Sequence, residues 1–154
     1  MKPRGWQPPA WFVTVQAKQR FIRGMQQVVD GPIRTVKPSL KRHGGLALSF
    51  TITPHGVPPR RVRIEFAVGS PEVPRVFADG PRESPHRYND GSLCMWYPRD
   101  PIELRWARRD GAAALVGSIT LHLIREQWWR ETGEWVGPEA PHAAPPNRPG
   151  RNAA

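Results

Sequence analysis

The chain has 154 residues, 38% of them hydrophobic, with seven tryptophans and 19 prolines; this is material for one folded domain with long connections, and it argues against a disordered polymer. A formal net charge of +10 and a pI near 11.2 suit an anionic partner, and a single cysteine excludes both an internal disulfide and a thiolate zinc cage. The start, MKPRGWQPPAW, has no uninterrupted apolar run, and no later segment approaches the ~20 apolar residues that span a bilayer, so a cytoplasmic protein with no membrane partner is expected.

In chain order, residues 1–9 read as a flexible start, 10–137 as one domain, and 138–154, ending APHAAPPNRPGRNAA, as a disordered Pro/Ala-rich tail. Trp11, Val15, Ile22, Met25 and Val29 recur at spacings of three, four or seven, which predicts an amphipathic helix within 10–29, stopped by Asp30-Gly31-Pro32. PSLKR before Gly44-Gly45 is a candidate strand. In GGLALSFTIT, Leu46, Leu48, Phe50 and Ile52 alternate with small or polar residues; in RRVRIEFAV, Val62, Ile64, Phe66 and Val68 do the same. This period of two predicts an antiparallel hairpin with one buried face, and PRVFAD extends it to a sheet of about four strands. Leu115, Ile119 and Leu123, continued by Ile124 and Trp128, mark a second helix that Asp110 can cap and Gly133 can end, with Gly117 as its weak point. Helix, meander, extended loop and helix together give an α+β fold with helices packed on a sheet.

The arginines are spread over RFIRG, RRVRIE, ELRWARR and IREQWWRE rather than gathered in one stripe, and no nucleic-acid-binding signature accompanies them. Specific nucleic-acid binding is therefore not expected, and the basic surface is read as one that meets an acidic protein partner. Such an encounter weakens at high salt.

The only thiol, Cys94, follows a turn-forming cluster in PHRYNDGSLCMWYP. A lone cysteine is most often a small buried hydrophobe. The segment SPEVPRVFADGPRESPHRYNDGSLCMWYP, however, resembles the core of a ubiquitin-conjugating (UBC-fold) enzyme, in which a His-Pro-Asn tripeptide places its Asn eight residues before the catalytic cysteine. Here Ser84-Pro85-His86 stands at the tripeptide: the proline is kept, Ser replaces the family His, and His86 occupies the place of the oxyanion-stabilising Asn. Asp90-Gly91-Ser92-Leu93-Cys94 matches closely, whereas Pro71 and Pro74 match the family's proline turn only in part. Together with Trp129-Arg130-Glu131-Thr132-Gly133-Glu134-Trp135, the pattern is similar to the stand-alone conjugating-enzyme-like proteins of bacterial type II CBASS antiphage operons, over roughly residues 15–142. That resemblance implies a cysteine-dependent acyltransferase that holds an acyl group as a Cys94 thioester and acts on the C-terminal tail of a cGAS-like nucleotidyltransferase, joining it to an amine or another nucleophile.

The residues fit that chemistry on their own terms. An unperturbed thiol is a few per cent thiolate at neutral pH, and that fraction is very nucleophilic. His86 can donate a hydrogen bond to an oxyanion or accept a proton, and the sequence leaves both roles open. Asn89, Asp90, Gly91, Ser92 and Leu93 form the loop that presents the thiol, with Asp90 shaping the turn, while Tyr88 and Trp96 either shield a thioester or pack on the sheet. Trp128, Trp129 and Trp135 are expected to dock the helix, Trp129 with partial exposure.

Other chemistries fit less well. A papain-like hydrolase needs a His held by a third group, and His122 or His142 would have to serve without that family's cysteine-bearing helix. Glu139 and His142 have metal-ligand spacing but lie in a proline-broken loop, so no metal is expected, and the absence of a Cys-x-x-Cys pair excludes a zinc deaminase. No phosphate-cradling loop and no cofactor motif is present. Activation of the carboxylate must come from elsewhere, a separate activating enzyme being one source. Two alternatives stand beside the main reading: a catalytically inactive UBC-fold module that scaffolds the nucleotidyltransferase, and a conjugating enzyme for another ubiquitin-like modifier.

Overall fold

A computed structural model describes residues 5–39, 44–97 and 99–138. The expected disordered tail lies outside the described residues from 139 onward, as do the first four residues of the expected flexible start. The chain enters through a 3-10 turn at Trp11–Val13 and a helix α1 at Val15–Gln26, within the expected range. Phe21 and Met25, one helical turn apart, face the core, while Arg20 and Arg23 face solvent. Trp11 anchors the entry: its indole N–H donates to the Pro71 carbonyl at 2.6 Å, and its ring meets Phe12, Phe21 and Phe66 at centroid distances of 5.0–5.4 Å. Trp106 joins this cluster against Phe21 and Phe66. Such offset and edge contacts add to the apolar burial itself.

Four strands follow, β1 (Asp30–Val36), β2 (Gly45–Ile52), β3 (Arg60–Ala67) and β4 (Ser70–Ala78), paired antiparallel in chain order. The predicted hairpin is β2–β3, with Leu46 opposite Phe66, Leu48 opposite Ile64 and Phe50 opposite Val62, all buried. Cross-strand apolar pairs of this kind fix the register, because a slip of one residue would turn the whole set to solvent. PRVFAD lies almost wholly within β4, where Val76 pairs with Ile64 and is buried.

The first strand differs from expectation. Asp30-Gly31-Pro32, read as a helix stop, also opens β1, whereas Pro38 and Ser39 of the PSLKR candidate lie outside any strand and residues 40–43 fall outside the described ones. The proline is tolerated because β1 is an edge strand whose pairing with β2 is irregular between Asp30 and Arg34, and Gly31 takes φ +76° there. Ser39 instead serves the buried carboxylate of Glu65, donating to Oε1 from its backbone N–H at 3.0 Å and its hydroxyl at 2.7 Å, beside Arg63.

The second helix, α2 (Ala112–Thr132), lays Leu115, Val116, Ile119 and Leu123 into the core that α1 and the sheet share. It runs unbroken through Gly117, and Gly133 ends it at φ +80°, donating its N–H to the Trp129 carbonyl at 2.7 Å. The helix start differs from expectation: Asp110 closes a preceding 3-10 turn by accepting from the Ala107 N–H, and α2 begins after Gly111 with no side-chain cap. The inner stripe differs too. Ile124 is half-buried and Trp128 is 48% exposed, because the buried face continues through His122 and Glu126 instead. The element order and packing are those of a UBC-like α+β fold.

Candidate active site

Between β4 and α2 the chain runs through a long irregular connection, and the candidate residues sit where that connection folds back on itself. The Tyr88 N–H donates to the Ser92 carbonyl, the Gly91 N–H to the Tyr88 carbonyl, and the Cys94 N–H to the His86 carbonyl at 2.9 Å. Arg87 and Leu93 pair across the same miniature hairpin. An eight-residue separation therefore becomes direct backbone contact between the histidine and the cysteine. Gly91 supplies the left-handed bend at φ +85°, a conformation that side chains disfavour. The Leu93 N–H donates to the Val76 carbonyl at 2.8 Å, which ties the hairpin to β4.

Asp90 braces the turn, its Oδ1 accepting from the Ser92 N–H at 2.9 Å and the Ser92 hydroxyl at 2.6 Å, and its Oδ2 from Arg75 on β4. Partial burial works against its ionised form, but the Ser92 hydrogen bonds and the Arg75 guanidinium prevail and lower its pKa to about 2. Asn89 and Pro85 are exposed, Ser92 and Leu93 buried.

Cys94 is 6% exposed and His86 3% exposed. The thiol lies 3.9 Å from the Trp96 carbonyl, and the His86 N–H donates to the Ser84 hydroxyl at 3.1 Å. Both residues line a cavity of about 250 Å³ with Trp96, Asp100, His122 and Trp135. A larger groove, about 560 Å³, runs on the hairpin side past Tyr88, Asp90, Leu93, Trp96 and Arg105. Tyr88 is 42% exposed, with its hydroxyl 3.4 Å from the Trp96 carbonyl; burial of the phenol, then the neighbouring Cys94 thiol, raises its pKa well above the ordinary value. Trp129 is half-buried, and Trp135 packs on His86 with ring centroids 4.2 Å apart.

The structure adds residues that reading for the cysteine motif missed. Glu126, fully buried on α2, accepts a bidentate pair from Arg87 Nε and NH2 at 2.9 and 3.0 Å, and a further contact from Arg130 at 3.2 Å. Arg87 adjoins His86, so this pair fastens the hairpin to the helix from below. Arg130 carries the tie onward, donating to the carbonyls of Pro81 and Glu83. His122 is buried one turn before Glu126, with Nε2 4.0 Å from its carboxylate. The signal was present in the sequence: His122 and Glu126 lie at helical spacing with Leu115 and Ile119, and polar residues on a buried stripe require partners.

Burial lowers the His122 pKa to about 4; Glu126 pulls the other way, and His86 and Arg87 add to the lowering. The folded protein thus holds this ring neutral, whereas the unfolded chain takes up a proton near the ordinary histidine value of 6.5. Stability conferred by the neutral ring is complete above that value and falls as the pH drops from about 6.5 to about 4, by roughly 3 kcal/mol. Urea denaturation at stepped pH checks this: His122→Gln should flatten the curve across that interval while leaving the steeper acid limb below pH 4.

Among the described residues no group of three or more His, Cys, Asp or Glu is placed to hold a metal, and no helix is long and apolar enough to cross a membrane. Compared with curated proteins and with solved structures, the chain finds no significant match in either. The family model for type II CBASS E2 proteins matches residues 26–143, a span that takes in the sheet, the His86–Cys94 hairpin, α2 and Trp135. The chain therefore belongs to the type II CBASS E2 protein family, and is E2-like in its fold as well as in its sequence.

Proposed function

We propose that this protein is a cysteine-dependent acyltransferase in which Cys94 carries an acyl group as a thioester. The acyl group is the C-terminus of a cGAS-like nucleotidyltransferase, passed to an amine or another nucleophile in CBASS antiphage defence. The observation that carries the reading is the backbone pairing of Cys94 with His86 at 2.9 Å, beside one shared cavity. In the first step the Cys94 thiolate attacks an activated carboxyl of the donor, forming a C–S bond as the donor's leaving group departs. In the second an amine attacks that thioester carbonyl, the tetrahedral oxyanion collapses, the C–S bond breaks and the amine loses a proton. His86, which lines the same cavity as Cys94, serves in this reading as oxyanion donor or as proton acceptor, each a recognised contribution to such transfers. The donor's activation falls to another agent, such as a separate activating enzyme.

The experiment is intact mass spectrometry of the protein co-expressed with its operon's nucleotidyltransferase, beside Cys94→Ser and Cys94→Ala. The expected result is an adduct that thiols release from the wild type, an ester-linked and thiol-resistant adduct in the serine variant, and none in the alanine variant. A stable noncovalent complex with no adduct on any of the three would replace this reading with the scaffold. An adduct bearing the mass of a small protein modifier would identify a different donor.

A further inference from the structure

The tryptophan motif at the end of α2 has no role in the chemistry so far. Gly133 reverses the chain, Thr132 Oγ1 accepts from the Glu134 N–H at 3.1 Å, and residues 134–138 return to the cavity that holds Cys94. Trp135 and Pro138 form part of its wall. Gly137 lies so close to Arg125 that a Cβ there would fall 2.6 Å from the guanidinium carbon. The indole ring of Trp135 lies 4.2 Å from the His86 ring at 44°, and 5.4 Å from the His122 ring at 61°. Its indole N–H is buried and has no hydrogen-bond partner among the described residues, so this N–H does not anchor the strap to its surroundings. What the ring does contact is the imidazole of His86, which lines the same cavity as Cys94.

We propose that Trp135 is a positioning residue: its ring face sets the plane of the His86 imidazole, and the 134–138 strap closes the cavity side of Cys94 against water. The consequence for transfer rests on the acyl-carrier reading, whereas the positioning and the closure do not. An oxyanion or proton-transfer contact acts only when held to a fraction of an ångström, and the Trp135 ring face narrows the orientations open to the buried His86 imidazole. A thioester in an open cavity is lost to hydrolysis in competition with an amine, and a ring packed over the imidazole removes room for that water.

The test uses the full chain with Trp135→Phe, Trp135→Leu and Trp135→Ala, each first compared with wild type by thermal denaturation. Phe keeps the ring face, Leu keeps apolar bulk without it, and Ala removes both. Alkylation of Cys94 by iodoacetamide, followed by intact mass, needs no acyl donor; Ala should react roughly 10-fold faster than wild type and Phe close to wild type. The His86 imidazole proton resonances should lose their ring-current shift in Leu and Ala and keep it in Phe. For protein charged with a peptide thioester, the ratio of aminolysis to hydrolysis should fall in Leu and Ala and be restored in Phe. Should Ala fail to fold, the contrast of Phe with Leu carries the decision. Folded variants with unchanged alkylation, resonances and partition would make Trp135 a packing residue and overturn the proposal. Faster alkylation and shifted resonances in a protein that forms no thioester even as wild type would retain the positioning and refute the acyl-carrier reading.

Discussion

Replacing Glu126 with alanine is expected to destabilise the fold by about 3–5 kcal/mol, because the change strands two guanidinium groups without the carboxylate they face. Glu126 has no exposed surface, the Arg87 side chain is 6% exposed and that of Arg130 16%. Small domains have total stabilities of only ~5–15 kcal/mol, so this one substitution removes a large fraction of the margin. Glu126→Gln keeps the shape and one acceptor but not the charge, and should fall between wild type and alanine. Replacing Arg87 and Glu126 together by methionine should cost far less than the sum of the single changes, since a buried ion pair offsets its own desolvation and little more. Urea denaturation of the single and double variants measures the coupling. Additive single effects would show that the pair is not a unit, and that the His86–Cys94 hairpin is held to α2 by apolar packing alone.

His86→Ala should slow discharge of a preformed Cys94 thioester to an amine by about 100- to 1,000-fold, the range for loss of one oxyanion donor, while the rate of charging changes little. The split follows from geometry: the hairpin places the thiol through backbone bonds that the substitution leaves in place, whereas the imidazole faces the cavity shared with the thiol. His86→Asn restores a neutral donor. Recovery of most of the rate by Asn, with the pH profile of the wild type between 5 and 8, identifies oxyanion stabilisation. Equal loss in Ala and Asn identifies proton transfer, a task an amide cannot perform. Single-turnover mass spectrometry separates the two steps, and an unchanged discharge rate in both variants would remove His86 from the reaction.

Local pattern carried a large part of the fold. Alternation of Leu46 to Ile52 and of Val62 to Phe66 predicts the central hairpin because a strand's two faces alternate residue by residue, and one face here is core. The edge strand was not legible in the same way. Asp30-Gly31-Pro32 has the composition of a breaker and enters β1 only because β2 offers a bonded neighbour and the outer edge needs no donor from proline. The choice among tryptophans is similar. Trp128 fits the helical stripe by spacing yet is half-exposed, while Trp135, beyond the helix, turns back onto His86.

The sequence by itself determined the central hairpin, through its alternating apolar residues, and the Asn-Asp-Gly-Ser turn between His86 and Cys94, since both rest on short-range pattern. Tertiary structure alone decided what lies beneath that pair: the Arg87–Glu126–Arg130 tie, the neutral His122 and the covering Trp135. Arg87 and Glu126 are 39 residues apart, and a buried carboxylate is tolerable only where distant cations meet it. Residue spacing encodes local turns and faces, but whether a polar group on a buried face finds its partner depends on how the rest of the chain packs against it.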